Sequence, residues 1–446
     1  ISRRFCYPNG SADANYITGA AAGATDSIPF TVTKGGGGIE AEYVHIDSAD
    51  TGNNGAEVVP TTPLIVQCEI VPDGTTDIYP GFVRGTGARQ ATIQPGGSAI
   101  FDFPGLEFDA ADKAHMHSFY AVDTDGDHVP ALFASTGNSA AWRKAGNQMG
   151  TAAPSGTTSM VNNRIFGPVA LRANSHSNHP VVAIAGGSAY AGQGDSWTNF
   201  NPTSPADQAN FKESNSVGPG YLQRACDSEG IAFINLSVPG AMGNYLDELT
   251  GRVRRSLMRG CTTVILNPGQ NDLIDSSSPL TAVQYAAFLT SIAAKLHRMG
   301  VKSVVANTQY PMTDSTDGWS TAGNQTVLGD EAERVALNAL IRDGISGIDG
   351  YFDADLIMRD PEASTKWGTP GRTGVGDLNT STSITNYTGT LQVEDTIMAA
   401  AGISADTKVA SIVGSTITLN RATTATTAGV SLTAVWTADG VHPAPS

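Results

Sequence analysis

Four short segments carry residue types that together could do covalent chemistry. The first is an apolar run, Val181–Ala185, that enters the turn Gly186-Gly187-Ser188-Ala189-Tyr190-Ala191-Gly192. In an open α/β sheet ligands sit beyond the carboxyl ends of the strands, so Ser188, on the turn after such a strand, stands where a nucleophile would be expected. The plainer alternative is a glycine-rich turn with an incidental serine. The second and third segments, Asn235-Leu236-Ser237-Val238-Pro239-Gly240 and Asn267-Pro268-Gly269-Gln270-Asn271-Asp272, each follow another apolar run. Gly240 can present its backbone N–H with no side chain in the way, and Asn271 can add a side-chain N–H. With the Ser188 amide, three donors would face an oxyanion. Taken singly, these residues read more simply as a β-turn glycine and a helix-capping asparagine or aspartate, and only their shared edge favours the sharper reading. The fourth segment is Asp439-Gly440-Val441-His442-Pro443. Histidine is the usual general base for a serine, and a carboxylate three residues earlier could hold its other ring nitrogen. In isolation it could also be a solvated turn.

These segments need a frame to bring them to one edge. After Pro180, buried-strand runs are expected at Val181–Ala185, Ile231–Leu236, Thr263–Leu266, Ser303–Asn307 and Tyr351–Leu356. Helices are expected between them: about Gly218–Ser228, one with Leu246, Leu249, Val253 and Leu257 on one face, Ala282–Met299, and Glu331–Arg342. Strands alternating with helices of this length imply right-handed βαβ crossovers and a parallel sheet. Ahead of this core, short alternating runs broken by turn residues (Ile28–Thr33, Glu42–Ile46, Leu64–Val71, Ala91–Ile93, Ser98–Phe103, Ser118–Val122) indicate a β-sandwich or jelly roll. Phe133–Arg164 reads as a connecting segment without periodicity. After Asp360 the chain turns rich in Thr, Ser, Ala and Gly, with strand-like runs at Lys408–Val413, Thr416–Leu419 and Val430–Val435. The expected division is residues 1–165 as a β-rich domain and linker, 166–360 as the α/β core, 361–436 as a β-rich insertion, and 437–446 as a returning catalytic segment of the core.

Composition narrows the partners. The chain has 446 residues and a net charge of −16, a field that repels phosphate backbones, so nucleic acid is not expected as a partner. No run of 18 apolar residues exists, so neither a helical membrane span nor a membrane partner is expected. The first residue is Ile1 and nothing after it reads as a signal segment, which leaves export unread. Low charge and abundant Thr, Ser and Gly resemble extracytoplasmic proteins in composition. The four cysteines, Cys6, Cys68, Cys226 and Cys261, are widely spaced, which allows one optional bridge at most and no zinc ribbon.

Together the four segments resemble the SGNH hydrolases, also called GDSL esterases and lipases. The resemblance covers about Val181 to Leu356 plus the last few residues, with all four blocks in the family's order. It implies an α/β fold: a flavodoxin-like three-layer α/β/α core, here joined by the N-terminal β-domain and the β-insertion. It also implies Ser188 as nucleophile, Ser188, Gly240 and Asn271 around the oxyanion, and Asp439 and His442 as the remaining catalytic residues. Neither a metal nor an organic cofactor is implied. One departure stands out: the family's first block is usually Gly-Asp-Ser, and Gly187 occupies the aspartate position. A literal Gly194-Asp195-Ser196 follows eight residues later but lacks a preceding apolar strand, so Ser188 is preferred over Ser196.

The implied reaction is ester hydrolysis through an acyl-enzyme. Polar, glycine-rich flanks offer no lipase-like lid, and flanking β-domains suit a polymer, so an O-acetylated polysaccharide or surface glycan is the expected substrate, with a small ester as the broader class. The insertion is loosely similar to phage tail β-modules, which suggests a secreted or virion-associated enzyme, with homo-oligomer or virion assembly open. The rival readings are a general short-chain carboxylesterase and an inactive binding or structural protein that keeps the fold; Gly187 supports the latter. Asp123-Thr124-Asp125-Gly126-Asp127 lacks the closing glutamate of a calcium loop and reads as a surface turn. His115 and His117 fall on one strand face, and with His128 could form a metal cluster, but read more simply as partly exposed β-strand histidines.

Overall fold

Period-2 alternation of apolar residues becomes antiparallel sheet in the described strands that precede residue 176. The computed structural model describes residues 62–109, 180–191, 221–237, 241–247, 251–267, 270–274, 280–369 and 371–393. It also describes 24–31, 36–45, 112–122, 142–151, 164–168, 170–175, 395–399, 402–403, 407–435, 437 and the short strands 3–4, 16–17, 129–130, 132–133 and 158–159. The chain divides into two compact units. One comprises Ile1–Ala185, Ala225–Ile265 and Ala294–Ser303; the other comprises Gly186–Arg224, Leu266–Ala293 and Val304–Ser446.

In the first unit, one sheet runs in the order Thr158–Ser159, Trp142–Ala145, Ala24–Thr31, Lys113–Val122, Leu64–Pro72, Tyr79–Pro80, with Ala91–Ile93 also paired to Leu64–Pro72. A second runs Ala170–Ser175, Gly36–Val44, Ser98–Phe108, Phe82–Val83. Val66, Ile70, Met116 and Tyr120 of the first and Ile39, Tyr43, Phe101 and Phe103 of the second belong to one buried cluster. Each such side chain contributes roughly 1.5–3 kcal/mol on burial.

Several of these strands depart from their expected bounds. The strand expected over Ile28–Thr33 begins at Ala24, so Thr25, Asp26 and Ser27 are buried in a sheet. Their polar atoms have distant partners: Thr25 Oγ1 accepts from Gln148 N at 3.0 Å and donates to Gly146 O at 2.9 Å, and Asp26 Oδ2 accepts from Phe166 N at 2.7 Å. The segment expected to be a connector contains the strand Trp142–Ala145, which pairs antiparallel with Ala24–Ser27. His117 is not partly exposed: it is buried, with Nδ1 3.2 Å from Glu69 Oε1, while Glu69 Oε2 accepts from Gly150 N at 2.7 Å. His128 and 123–127 lie outside the described residues. Among the described residues no group of three His, Cys, Asp or Glu side chains could hold a metal ion, and no helix is long and apolar enough to cross a membrane. Cys68, Cys226 and Cys261 are buried; Cys6 lies outside the described residues.

A separate six-stranded sheet has the order Arg3–Arg4, Ala232–Asn235, Val181–Gly186, Thr263–Asn267, Ser303–Asn307, Gly350–Phe352. Val181–Gly186 pairs parallel with Ala232–Asn235, and Ser303–Asn307 parallel with Gly350–Phe352. Counted along the chain from Val181, its five strands stand 2-1-3-4-5, so the order reverses beside the first strand. Two helices are close to expectation, Ala282–Arg298 and Glu331–Asp343; the latter starts at Asp330, which caps Glu333 N, and stops at Gly344, whose φ of 99° suits glycine. Of the helix expected across Leu246–Leu257, the described helical stretches are Gly243–Asp247 and Arg252–Leu257, the second entered through Gly251.

The fifth strand is also shorter than expected. Gly350–Phe352 ends at Asp353, and Ala354–Met358 is helical rather than extended. Asp353 explains the switch, since its carboxylate accepts from Leu356 N at 3.1 Å and caps the new helix. In the second unit a further antiparallel sheet runs Ile397–Ala399, Thr426–Ala434, Thr373–Asn379, Ser383–Gly389, Thr416–Leu419, Val409–Val413 over a core that includes Leu378, Ile384, Ile417 and Leu432.

The Asp353 carboxylate also receives Arg342 Nε at 2.9 Å and Thr308 Oγ1 at 2.9 Å. The Arg342 hydrogen bond, acting against partial burial, holds this carboxyl below the usual aspartate range. Asp353→Ala should therefore cost about 1–3 kcal/mol in urea unfolding at neutral pH. Because the folded pKa is depressed, that contribution is present above the ordinary value of about 3.9 and is lost as pH falls through the folded one. The stability gap between parent and variant should close on acidification; a gap independent of pH would contradict the assignment.

Candidate active site

The turn that carries Ser188 is shaped by close packing. Val182 to Ala185 are buried apolar residues, and the strand ends at Gly186. A Cβ on Gly186 would lie 2.7 Å from Asn267 O and 2.9 Å from the Tyr190 ring, so only glycine lets the two segments approach this closely. Gly187 N then donates to Asn267 O at 3.3 Å. Ser188 follows as the first residue of a one-turn helix, Ser188–Ala191, and is itself buried.

That helix is held through its next two residues. Ala189 belongs to a buried cluster with Tyr310, Trp319, Ala354, Met358 and Trp367. The Tyr190 ring stands edge-to-face against Tyr221, with centroids 5.7 Å apart, and Tyr190 O accepts from Gln223 Nε2 at 2.6 Å. Burial pushes the Tyr190, Tyr221 and Tyr285 phenols up, so these rings stay neutral at ordinary pH and none can act as a base there. Burial likewise raises the Cys68 thiol, and lifts that of Cys261 to about 11, which removes both as thiolate nucleophiles.

Asn271 is the second residue of the short helix Gln270–Ile274 and is half-buried. Tyr310 donates its hydroxyl to Gln270 Oε1 at 2.8 Å, which fixes the start of that helix. Pro268 and Gly269 between strand and helix lie outside the described residues. At the end of the strand Ala232–Asn235, Asn235 Oδ1 accepts from Ser237 N at 3.0 Å, forming an Asx turn. Gly240, Asp439, His442 and the rival Ser196 lie outside the described residues. Thr437, two residues before Asp439, is buried.

Ser188 is thus the first and Asn271 the second residue of short helices that follow the first and third strands of the sheet. The sequence alone assigned no role to Asn267, Gln309, Tyr310, Arg334 and Asn338. Their signal was weak, because a buried amide at the end of an apolar run looks like any other turn residue until its partner is known.

No protein-family model matches the sequence, and no curated protein matches it. Similar solved structures include a GDSL-like lipase from Bacteroides thetaiotaomicron, at 12% identity over 42% of this chain and 75% of that one, with a TM-score of 0.27. A psychrotrophic esterase from Pseudoalteromonas sp. is 14% identical over 40% and 79%, with a TM-score of 0.23. A family two carbohydrate esterase from Cellvibrio japonicus is 9% identical over 74% and 89%, with a TM-score of 0.27. At such values no argument about function rests on them, and the likeness of residues 361–436 to phage tail modules finds no support among them.

The packing at Gly186 generates a direct test. Gly186→Ala should destabilise the protein by about 1–3 kcal/mol in urea unfolding, because the added methyl meets a backbone carbonyl that cannot rotate away. An unchanged midpoint would mean that the two strand ends are not in contact.

Proposed function

We propose that the chain is a serine-dependent carboxylic ester hydrolase of the SGNH type, with a flavodoxin-like core. The supporting observation is the shared position of Ser188 and Asn271. Both lie in the first turn of helices that follow strands one and three of a 2-1-3-4-5 sheet, the two strands that flank a topological switch point. Ser188 Oγ attacks the ester carbon while His442 accepts its proton, and Asp439 orients the imidazole. The Ser188 and Gly240 amides and the Asn271 side chain hold the oxyanion. Collapse of the tetrahedral intermediate breaks the C–O bond, and His442 returns the proton to the leaving alkoxide. Water, deprotonated by His442, then attacks the acyl-enzyme to release the acid and restore Ser188.

The substrate we favour is a short acyl ester, foremost an O-acetyl group on a polysaccharide. The reasons are the polar sequence around all four blocks and the β-rich segments on either side of the core, which suit an extended polymer. Gly187 favours a second reading, an inactive binding protein, because the aspartate common at that position in the family is absent.

Hydrolysis of a short aryl acetate separates these readings. Ser188→Ala should lower turnover by roughly four to six orders of magnitude, as losses of a nucleophile do. Ser196→Ala should leave turnover within about twofold of the parent. Asn271→Ala should cost about 10²–10³ in kcat with a smaller change in KM, since its bond strengthens only as charge develops. No activity in the parent on aryl acetate or on an acetylated polysaccharide would favour the binding protein.

A further inference from the structure

Asn267, whose main-chain oxygen receives the Gly187 N–H, is itself held by a buried amide. Gln309 Nε2 donates to Asn267 Oδ1 at 2.5 Å and to Asn307 O at 3.3 Å. The Gln309 backbone is clamped in turn: its N–H donates to Asn338 Oδ1 at 2.7 Å, and its carbonyl accepts from Asn338 Nδ2 at 2.7 Å and Arg334 Nη1 at 2.6 Å. Arg334 is anchored by Asp355 Oδ1 at 2.6 Å and by both Glu331 oxygens at 2.6 and 2.7 Å. Gln309, Asn267, Arg334 and Asn338 are all at most 4% exposed, so water does not replace a lost partner. The adjacent Tyr310 donates to Gln270, beside Asn271.

We propose that Gln309 is a positioning residue for ester hydrolysis, setting Ser188 through Asn267 and Gly187. The proposal rests on the reading of Ser188 as nucleophile. Gln309 Nε2 orients the Asn267 side chain, and the Asn267 peptide carries the carbonyl that both receives Gly187 N and crowds Gly186. With the donor gone, the Asn267 amide loses its fixed rotamer, and the following turn gains freedom at the residue before the nucleophile. A displacement of the order of 1 Å at a reacting group costs about 10²-fold in rate. Arg334 and Asn338 bind the Gln309 backbone rather than its amide, so the clamp stays in place when only that side chain is changed.

The test is steady-state hydrolysis of an aryl acetate by the parent, Ser188→Ala, Gln309→Met and Gln309→Glu, with folding checked by circular dichroism. Gln309→Met keeps length and removes the donor; its kcat should fall about 10- to 100-fold while KM changes less than about threefold. Gln309→Glu donates only when protonated, so the ratio of its kcat to the parent's should rise as pH falls, a signature that a purely structural role would not give. Parent activity that Ser188→Ala does not abolish, or no parent activity, sinks the reading of Ser188. Ser188-dependent activity with Gln309→Met within about twofold of the parent kcat sinks the positioning role alone. Should Gln309→Met fail to fold, Gln309→Glu decides, and a ratio flat with pH overturns the proposal. Failure of both to fold makes the amide a determinant of stability and overturns it equally.

Discussion

The approach of Gly186 and Gly187 to the carbonyl of Asn267 is the constraint around which the proposed site is arranged. It joins the end of the first core strand to the end of the third by one backbone hydrogen bond and one contact too close for any Cβ. Ser188 starts a helix one residue after this junction, and Asn271 lies four residues beyond Asn267. Both residues inherit their positions from a backbone contact, which moves less than a side chain does. A nucleophile and an oxyanion donor need that kind of rigidity, because their contribution depends on geometry fixed before charge develops.

Such a junction has to be supported from behind, and the support here is polar. Arg334, Asn338 and Gln309 are buried together, and leaving any one unpaired would cost about 1–3 kcal/mol, more for the guanidinium. Arg334 is joined to Glu331, Asp355, Ser364 O and Gln309 O. An apolar filling of the same space could be equally stable, but would not direct one particular carbonyl at one particular N–H. The apolar cluster of Ala189, Tyr310, Trp319 and Trp367 supplies the bulk beside this network.

The parts of this arrangement that were legible in the sequence are those written in local pattern. Val181–Ala185, Thr263–Leu266 and Ser303–Asn307 are apolar runs of strand length, and each is a strand. Glu331–Arg342 carries its own cap and stop signals and is helical to within one residue. The misses share one cause, a partner distant in sequence. The strand expected from Ile28 already begins at Ala24, where Thr25 and Asp26 are satisfied by Gln148, Gly146 and Phe166. Asp353 read as part of a strand although it caps a helix, and its preference is decided by Leu356 N and Arg342. Gln309 offered no pattern at all, since an amide becomes informative only through what it touches. Within the site, Ser188 and Asn271 fall at strand-to-helix turns as expected, while Gly240, Asp439 and His442 lie outside the described residues.

The central claim is that Ser188 is an activated nucleophile. Incubation of the intact protein with a fluorophosphonate, followed by proteolysis and mass spectrometry, tests it most directly, since only a serine made nucleophilic by its surroundings displaces fluoride from phosphorus at a useful rate. The account predicts one phosphonate on the peptide containing Ser188, formed rapidly in the parent and suppressed in His442→Ala. A phosphonate on Ser196 or elsewhere, or no adduct while the protein is folded, would contradict it.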